Sequence, residues 1–119
     1  MEAGEILEDL IEAMGRSEKR AVKSQLTRLM KHIIKWQCQP EKRSTSWVIT
    51  IRSTRREIAD SQEEMPSLNR DFILSIWQQC FHEARLDARD EMRKNPTTVS
   101  LEWDEVFTQE YSLLNFDEE

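Results

Sequence analysis

Apolar residues recur at helical spacing along the first third of the chain, in two successive stretches. The first stretch predicts a helix from about Ala3 to Met14, with acidic residues on its other side. Gly15 follows and suits the left-handed conformation that ends many helices, and Ser17 suits the N-cap of a second helix running to about Gln37. The apolar positions are Ile6, Leu7, Leu10, Ile11 and Met14 in the first helix, and Val22, Leu26, Leu29, Ile33 and Trp36 in the second.

The third stretch is open to two interpretations. Residues 47–51 are rich in β-branched side chains, which favours a strand. Trp47, Ile51, Thr54 and Ile58 nevertheless continue at helical spacing over three turns, which favours a helix. We predict a helix here, because the longer pattern carries more information than a short run of β-branched residues. Ser44 or Ser46 is its expected N-cap.

The last long helix is predicted from Pro66-Ser67 to about Lys94, where Asn95-Pro96 stops it. Its broad apolar face favours a central position in the fold. A short helix from Ser100 follows, with Trp103, Phe107 and Tyr111 as apolar anchors. The apolar face comprises Phe72, Ile73, Ile76, Trp77, Cys80, Phe81, Ala84 and Ala88. The prediction is an all-α fold: one compact bundle of four main helices plus a short C-terminal helix.

Composition supports this interpretation. The 119 residues suit one domain, residues 1–119, and two glycines with three prolines leave little material for a many-turned β fold. No run of about 18 apolar residues indicates a membrane span, and no signal peptide precedes the first helix. We therefore expect a cytoplasmic protein, in which Cys38 and Cys80 are reduced.

The net charge of -6 is unevenly distributed along the chain. Residues 1–15 contribute -5, residues 16–56 contribute +10 and residues 57–119 contribute -11. Such a basic block indicates either an anionic partner or internal neutralisation across packed helices, and we favour the second interpretation. The candidate interaction residues within it are Lys23, Lys31, Lys35, Arg43, Arg52, Arg55 and Arg56.

Catalytic and metal-binding patterns are scarce. The sequence has no glycine-rich phosphate loop, no HExxH motif and no zinc-type spacing of cysteine and histidine. His32 is expected to make a structural hydrogen bond, and His82 to lie in solvent. Glu83, Asp87 and Asp90 follow helical spacing and could hold a divalent cation, but pairing with the arginines of the third helix is the favoured interpretation. We predict no enzyme, no cofactor and no bound metal.

The link between the second and third helices contains four residues that we predict to form a structural corner: Trp36, Gln37, Pro40 and Trp47. Pro40 is expected to stop the helix, while the amides of Gln37 and Gln39 satisfy terminal backbone groups. The two tryptophans end and begin apolar faces, so we expect both to be buried and close together. The alternative is a corner that also serves as a docking surface.

The same link carries a family resemblance. The segments 32–37, 39–41, 43–44, 46–47 and 50–51, together with 10–12 and 14–20 earlier in the chain, resemble the bacterial domain-of-unknown-function family 29. The resemblance covers about residues 5–95 and implies an all-helical fold without an established activity. Members of this family usually have a further helix before the first helix found here.

The function predicted from these observations is a non-enzymatic protein-interaction or regulatory module, of the adaptor or antitoxin type. The alternative is nucleic-acid binding through the basic face of the second and third helices. We also expect a homodimer formed by the first helix and the C-terminal segment from Tyr111 to Phe116, because these parts combine apolar residues with no obvious partner.

Overall fold

A single long helix, α1 (Glu2–Cys38), replaces the two helices predicted for this part of the chain. The computed structural model describes the backbone of residues 2–114 and the side chains of residues 15–114. Gly15 lies inside α1, and no glycine in the described range has a positive φ, so the predicted break is wrong. An interior glycine costs only about 1 kcal/mol, and good helix formers such as Glu18 and Lys19 follow it. The Gly15 signal was therefore too weak to end the helix.

The end of α1 and the start of the next helix follow the sequence closely. The amide of Gln39 donates to the carbonyl of Lys35 at 2.8 Å, and Pro40–Lys42 then forms a short 3₁₀ turn. Helix α2 (Thr45–Glu64) begins after Ser44, whose Oγ accepts a 3.4 Å hydrogen bond from the amide of Trp47. The helical interpretation of this stretch is confirmed, and the strand alternative is excluded.

Helix α3 (Arg70–Met92) starts later than predicted. Pro66 and Ser67 belong to a turn, and the Oδ1 atom of Asn69 accepts the amide of Phe72 at 3.0 Å. Asparagine is a strong N-cap, which explains why the helix begins here and not at the proline. The helix ends at Arg93, a left-handed residue with φ of 60°.

The C-terminal part contains one short helix, α4 (Trp103–Phe107). Its start is held by a capping box in which the amide of Glu102 donates to Oε1 of Glu105 at 2.7 Å. Trp103 stacks on Trp77 of α3 with ring centroids 5.6 Å apart. The predicted short helix is therefore present, although it ends before Tyr111.

The centre of the bundle is α1, not the last long helix as predicted. Helix α1 packs against both α2 and α3, whereas these two have no extensive contact with each other. The broad apolar face of α3 has a different cause. It receives the C-terminal segment as well as α1, and the indole of Trp77 donates to the carbonyl of Leu101 at 3.2 Å. Among the side chains of α1 that the structure describes, the buried apolar residues are Val22, Leu26, Leu29, Met30, Ile33, Ile34 and Trp36.

The described residues contain helices, turns and irregular segments but no strand, so the all-helical prediction is confirmed. Within residues 2–114, three long helices and one short helix stand where four main helices and one short helix were predicted. Within this described range, no helix combines the length and the apolar character that crossing a membrane requires.

Candidate interaction surface

Two lysines of the basic block, Lys31 and Lys35, face α3 and are neutralised there. Nζ of Lys31 lies 2.8 Å from Oε2 of Glu91, and Nζ of Lys35 lies 2.8 Å from Oε1 of the same carboxylate. Lys35 also lies over the ring of Trp47, 4.8 Å from its centroid. Partial desolvation raises the pKa of Glu91, but the hydrogen bonds from both lysines outweigh it and lower this pKa to about 2. We call Lys31, Lys35 and Glu91 the Glu91 cluster.

Lys23 lies on the same side of the molecule. It lines a cleft between α1 and α3 together with Glu83 and Asp87, two of the three carboxylates singled out in the sequence. The third, Asp90, pairs with Arg89 at 3.0 Å. The predicted pairing of this stripe with the arginines of α2 is wrong for the described residues, because α3 lies beside α1. Residues 15–114 also contain no group of three potential ligands arranged to hold a metal ion.

Arg55 has a structural role in holding the C-terminal segment. Its Nε donates to the carbonyl of Val106 at 2.7 Å, and its guanidinium also reaches the carbonyl of Glu105 at 3.3 Å. The same group lies 5.4 Å from the ring centroid of Tyr111. Desolvation by burial lowers the pKa of Arg55, as expected for a cation enclosed by protein atoms.

Arg52 and Arg56 differ from Arg55, although all three belong to α2. Both side chains are exposed, and neither forms an ion pair among the residues whose side chains are described. Beside them Ile49, Leu113 and Leu114 are 53%, 48% and 68% exposed. An apolar surface with uncompensated arginines at its edge is thus available to a partner.

This surface is a groove between the first part of α2 and the segment 110–114. It consists of two adjoining cavities, and the larger has a volume of about 520 Å³. We call it the α2 groove. Its residues are Thr45, Val48, Ile49, Ile51, Arg52, Arg55, Arg56, Glu110, Tyr111, Ser112, Leu113 and Leu114.

The tryptophans of the predicted corner have separate environments. Trp36 is 7% exposed and meets the ring of Tyr111 edge-on, with centroids 5.5 Å apart, while the guanidinium of Arg43 lies over the Trp36 ring, 4.7 Å from its centroid. Nε of Arg43 also donates to the carbonyl of Trp36 at 2.9 Å. Trp47 is only half-buried, and no ring contact joins it to Trp36 within the described structure. The corner is held by Arg43, not by two adjacent indoles.

Gln37 does not satisfy the helix end as predicted. Its Nε2 donates to Oε2 of Glu105 at 2.9 Å, and its Oε1 accepts from Oγ1 of Thr98 at 2.8 Å. Gln37 therefore joins the end of α1 to the C-terminal segment. Pro40 is exposed and opens the 3₁₀ turn, so it follows the end of the helix as expected.

The histidines and cysteines occupy structural positions. Nδ1 of His32 lies 2.9 Å from the carbonyl of Arg28, as predicted, and His82 is exposed. Both cysteines are free thiols; Cys80 is buried and its Sγ lies 3.7 Å from the carbonyl of Lys23. The residues best placed for an interaction are therefore those of the α2 groove.

Sequence reasoning missed two important residues, Glu91 of the Glu91 cluster and Ile49 of the α2 groove. Glu91 was not distinguished from other acids of α3, because its two lysines belong to a helix far away in sequence. Ile49 was passed over in a β-branched run whose other members face the core or its edge. Its position on the polar side of α2 was the available signal, since a large apolar residue there stays exposed.

Comparison with known proteins gives a family but no activity. No curated protein and no solved structure matches this chain. A family model described as a domain of unknown function, DUF29, matches residues 3–112, which is nearly the whole chain. The chain belongs to the DUF29 family.

Proposed function

We propose that this protein is a non-enzymatic protein-interaction module, of the adaptor or antitoxin-like regulatory type, and that the α2 groove is its binding surface. The observation that supports this proposal is the coexistence, in one groove, of exposed apolar residues and arginines that form no ion pair with any side chain of residues 15–114. Arginine is enriched at protein interfaces, and the buried centre of an interface is more apolar than the rest of the surface.

The chemistry of the groove defines the partner. Ile49, Leu113 and Leu114 suit apolar side chains, while Arg52 and Arg56 suit two carboxylates placed along the same side. An amphipathic helix with an acidic border meets both requirements, since it can bury a stripe of residues in a groove and keep its charges at the edge. The proposed partner segment is therefore helical, amphipathic and acidic.

Nucleic-acid binding is the second candidate. The exposure of Arg43, Arg52 and Arg56 favours it. The pairing of Lys31 and Lys35 with Glu91 opposes it, because these cations are already neutralised. The predicted continuous basic face is thus divided into two parts, and the remaining arginines border apolar residues that phosphates would not cover.

The test compares two variants in affinity purification from the native cell, read by mass spectrometry. Ile49→Glu places a charge in the groove, and Leu74→Glu is the matched control, because Leu74 is a similarly exposed apolar residue on α3. We expect Leu74→Glu to retain the proteins captured by the wild type and Ile49→Glu to lose them. Equal capture by both folded variants would contradict the proposal.

The nucleic-acid alternative has its own measurement. Retardation of DNA or RNA whose affinity falls steeply with salt, and which Arg52→Glu abolishes, would replace protein binding as the proposed function. We expect no salt-dependent retardation at physiological ionic strength.

A further inference from the structure

The N-terminal part of α1 extends beyond the rest of the bundle. Lys23 contacts Cys80 and Lys31 contacts Glu91, so α1 and α3 run in the same direction. Arg70, the first residue of α3, then aligns with about residue 13 of α1. At the same end, Glu64 of α2 lines a depression with residues 17 and 18. Neither helix therefore runs alongside residues 2–12.

We call residues 2–14 of α1 the N-terminal arm. Its sequence has the pattern that the α2 groove requires in a partner. Apolar residues recur at helical spacing, and the arm has five acidic residues and no lysine or arginine. The apolar positions are Ile6, Leu7, Leu10, Ile11 and Met14, and the acidic positions are Glu2, Glu5, Glu8, Asp9 and Glu12.

We propose that the occupant of the α2 groove is the N-terminal arm of a second copy of this chain, so that two copies exchange arms around a two-fold axis. This inference rests on the proposed binding role of the groove and names its partner. Charge complementarity supports it: the arm contributes -5, and Arg52 and Arg56 are cations of the groove that form no ion pair among the side chains the structure describes. Acidic residues beside the apolar stripe would reach these arginines.

The N-terminal arm and the α2 groove have similar lengths. The arm is roughly 20 Å long and the stretch of α2 that lines the groove, residues 45–56, is roughly 18 Å long, at about 1.5 Å per helical residue. An arm of this length would cover the groove from end to end.

The direction of the helices excludes the arm of the same copy. Helix α2 runs antiparallel to α1, because its last residue lies beside residues 17 and 18 while its first residue follows the end of α1. The groove starts near the end of the bundle that is opposite to the arm. A continuous helix cannot fold back over that distance, whereas a second copy related by a two-fold axis across the bundle brings its arm alongside.

The exchange would also be reciprocal. In a two-fold dimer each arm meets the other copy's groove, so that the same contact forms twice. Neither arm nor groove is left without a partner, and the apolar stripe of each arm is removed from water together with Ile49, Leu113 and Leu114 of the other copy. An interface of this type is expected to bury roughly 1,200–2,000 Å² in total.

The test is a charge exchange read by light scattering and sedimentation at micromolar concentration. The wild type should have about twice the mass of the 14.2 kDa chain. Variant one carries Arg52→Glu and Arg56→Glu in the groove. Variant two carries Glu8→Lys and Asp9→Lys, at positions that border the apolar stripe by helical spacing. Each variant alone should dimerise at least about 100-fold more weakly, because like charges then face each other in both contacts.

Mixing the two variants distinguishes this proposal from a loss of folding. In the mixture each arm meets a groove of opposite charge, so a heterodimer of one copy of each should form. The control carries Glu5→Lys and Glu12→Lys, on the side of the arm opposite to the apolar stripe, and should remain dimeric. A monomeric wild type, or a dimer that both variants leave intact, would overturn the arm exchange. The binding role of the groove would still stand if Ile49→Glu loses captured proteins that Leu74→Glu retains.

Discussion

The Glu91 cluster and the α2 groove contain cations from the same basic block, but the two regions differ in whether a carboxylate pairs with these cations. In the cluster, Lys31 and Lys35 share one carboxylate at 2.8 Å each. In the groove, Arg52 and Arg56 have no carboxylate partner among the described side chains, and apolar residues lie beside them. A charge count along the chain therefore does not identify a binding surface.

The physical cause is the position of the acidic residues. Helix α3 carries Glu91 along the side of α1, where this one carboxylate neutralises two lysines. On α2, by contrast, the described contacts of Arg55 with the acidic helix α4 go to backbone carbonyls and not to carboxylates. A cation that packing leaves unpaired keeps its capacity to attract a partner, whereas a paired one must first lose an existing interaction. The α2 groove is therefore the better candidate for binding.

We expect the greatest loss of stability in the aromatic packing behind Tyr111, one of the residues that line the α2 groove. Trp36 is buried against Tyr111, and Trp36→Ala should lower the free energy of unfolding by about 3–5 kcal/mol, the cost of removing a large aromatic side chain from a core. Trp47→Ala is the matched control and should cost less than about 2 kcal/mol, because Trp47 is half-buried. Urea unfolding measures both. Equal losses would contradict the distinction drawn between the two tryptophans.

A smaller effect separates two arginines within the groove itself. Arg55→Met removes hydrogen bonds to the carbonyls of Val106 and Glu105 and should lower stability by about 1–3 kcal/mol. Arg56→Met should change stability by no more than about 0.5 kcal/mol, because its side chain is exposed. Binding should respond in the opposite order. Relative to the stability that each variant loses, Arg56→Met should weaken partner binding more than Arg55→Met does. Calorimetry of both variants would refute this division if Arg56→Met proved the less stable.

The Glu91 cluster should produce a pH dependence that the groove lacks. The folded pKa of Glu91 is lowered from 4.5 to about 2, so its contribution is complete above pH 4.5 and disappears as the pH falls towards 2. Its side chain is 43% exposed, which limits the contribution to about 1 kcal/mol. Glu91→Gln should be less stable than the wild type at pH 7 and equal to it near pH 2. Glu83→Gln is the control, and a difference that persisted near pH 2 would contradict the ion-pair origin.

Local signals in the sequence predicted part of this fold correctly. The helical period from Trp47 to Ile58 predicted α2 against its β-branched composition, because three turns of buried side chains decide more than propensity. Ser44 also caps the start of α2, and Pro40 opens the 3₁₀ turn that follows the end of α1. These features depend on residues that are close together in the sequence, so the sequence alone was sufficient to predict them.

The arrangement of the helices and the site depended on contacts between distant residues. The sequence could not show that α3 lies beside α1, so the acids were assigned to the wrong cations. It correctly selected Leu113 and Leu114 as exposed apolar residues, but it also selected Tyr111, which is buried and donates its hydroxyl to the carbonyl of Glu105 at 2.7 Å. Phe116, a further member of that segment, and the side chains of residues 3–14 lie outside the described residues.

The smallest expected effect tests the arm that we place in the groove. Gly15 lies inside α1 without a positive φ, and a Cβ added there would meet no atom within 4 Å. Gly15→Ala should therefore raise the free energy of unfolding by about 0.5–1 kcal/mol, because alanine is the better helix former. A left-handed cap at this position would give the opposite sign, since alanine is strained there. Thermal unfolding measures the sign directly. A lower melting temperature would show that α1 is interrupted at Gly15. The arm would then have no rigid connection that keeps it away from the groove of its own copy.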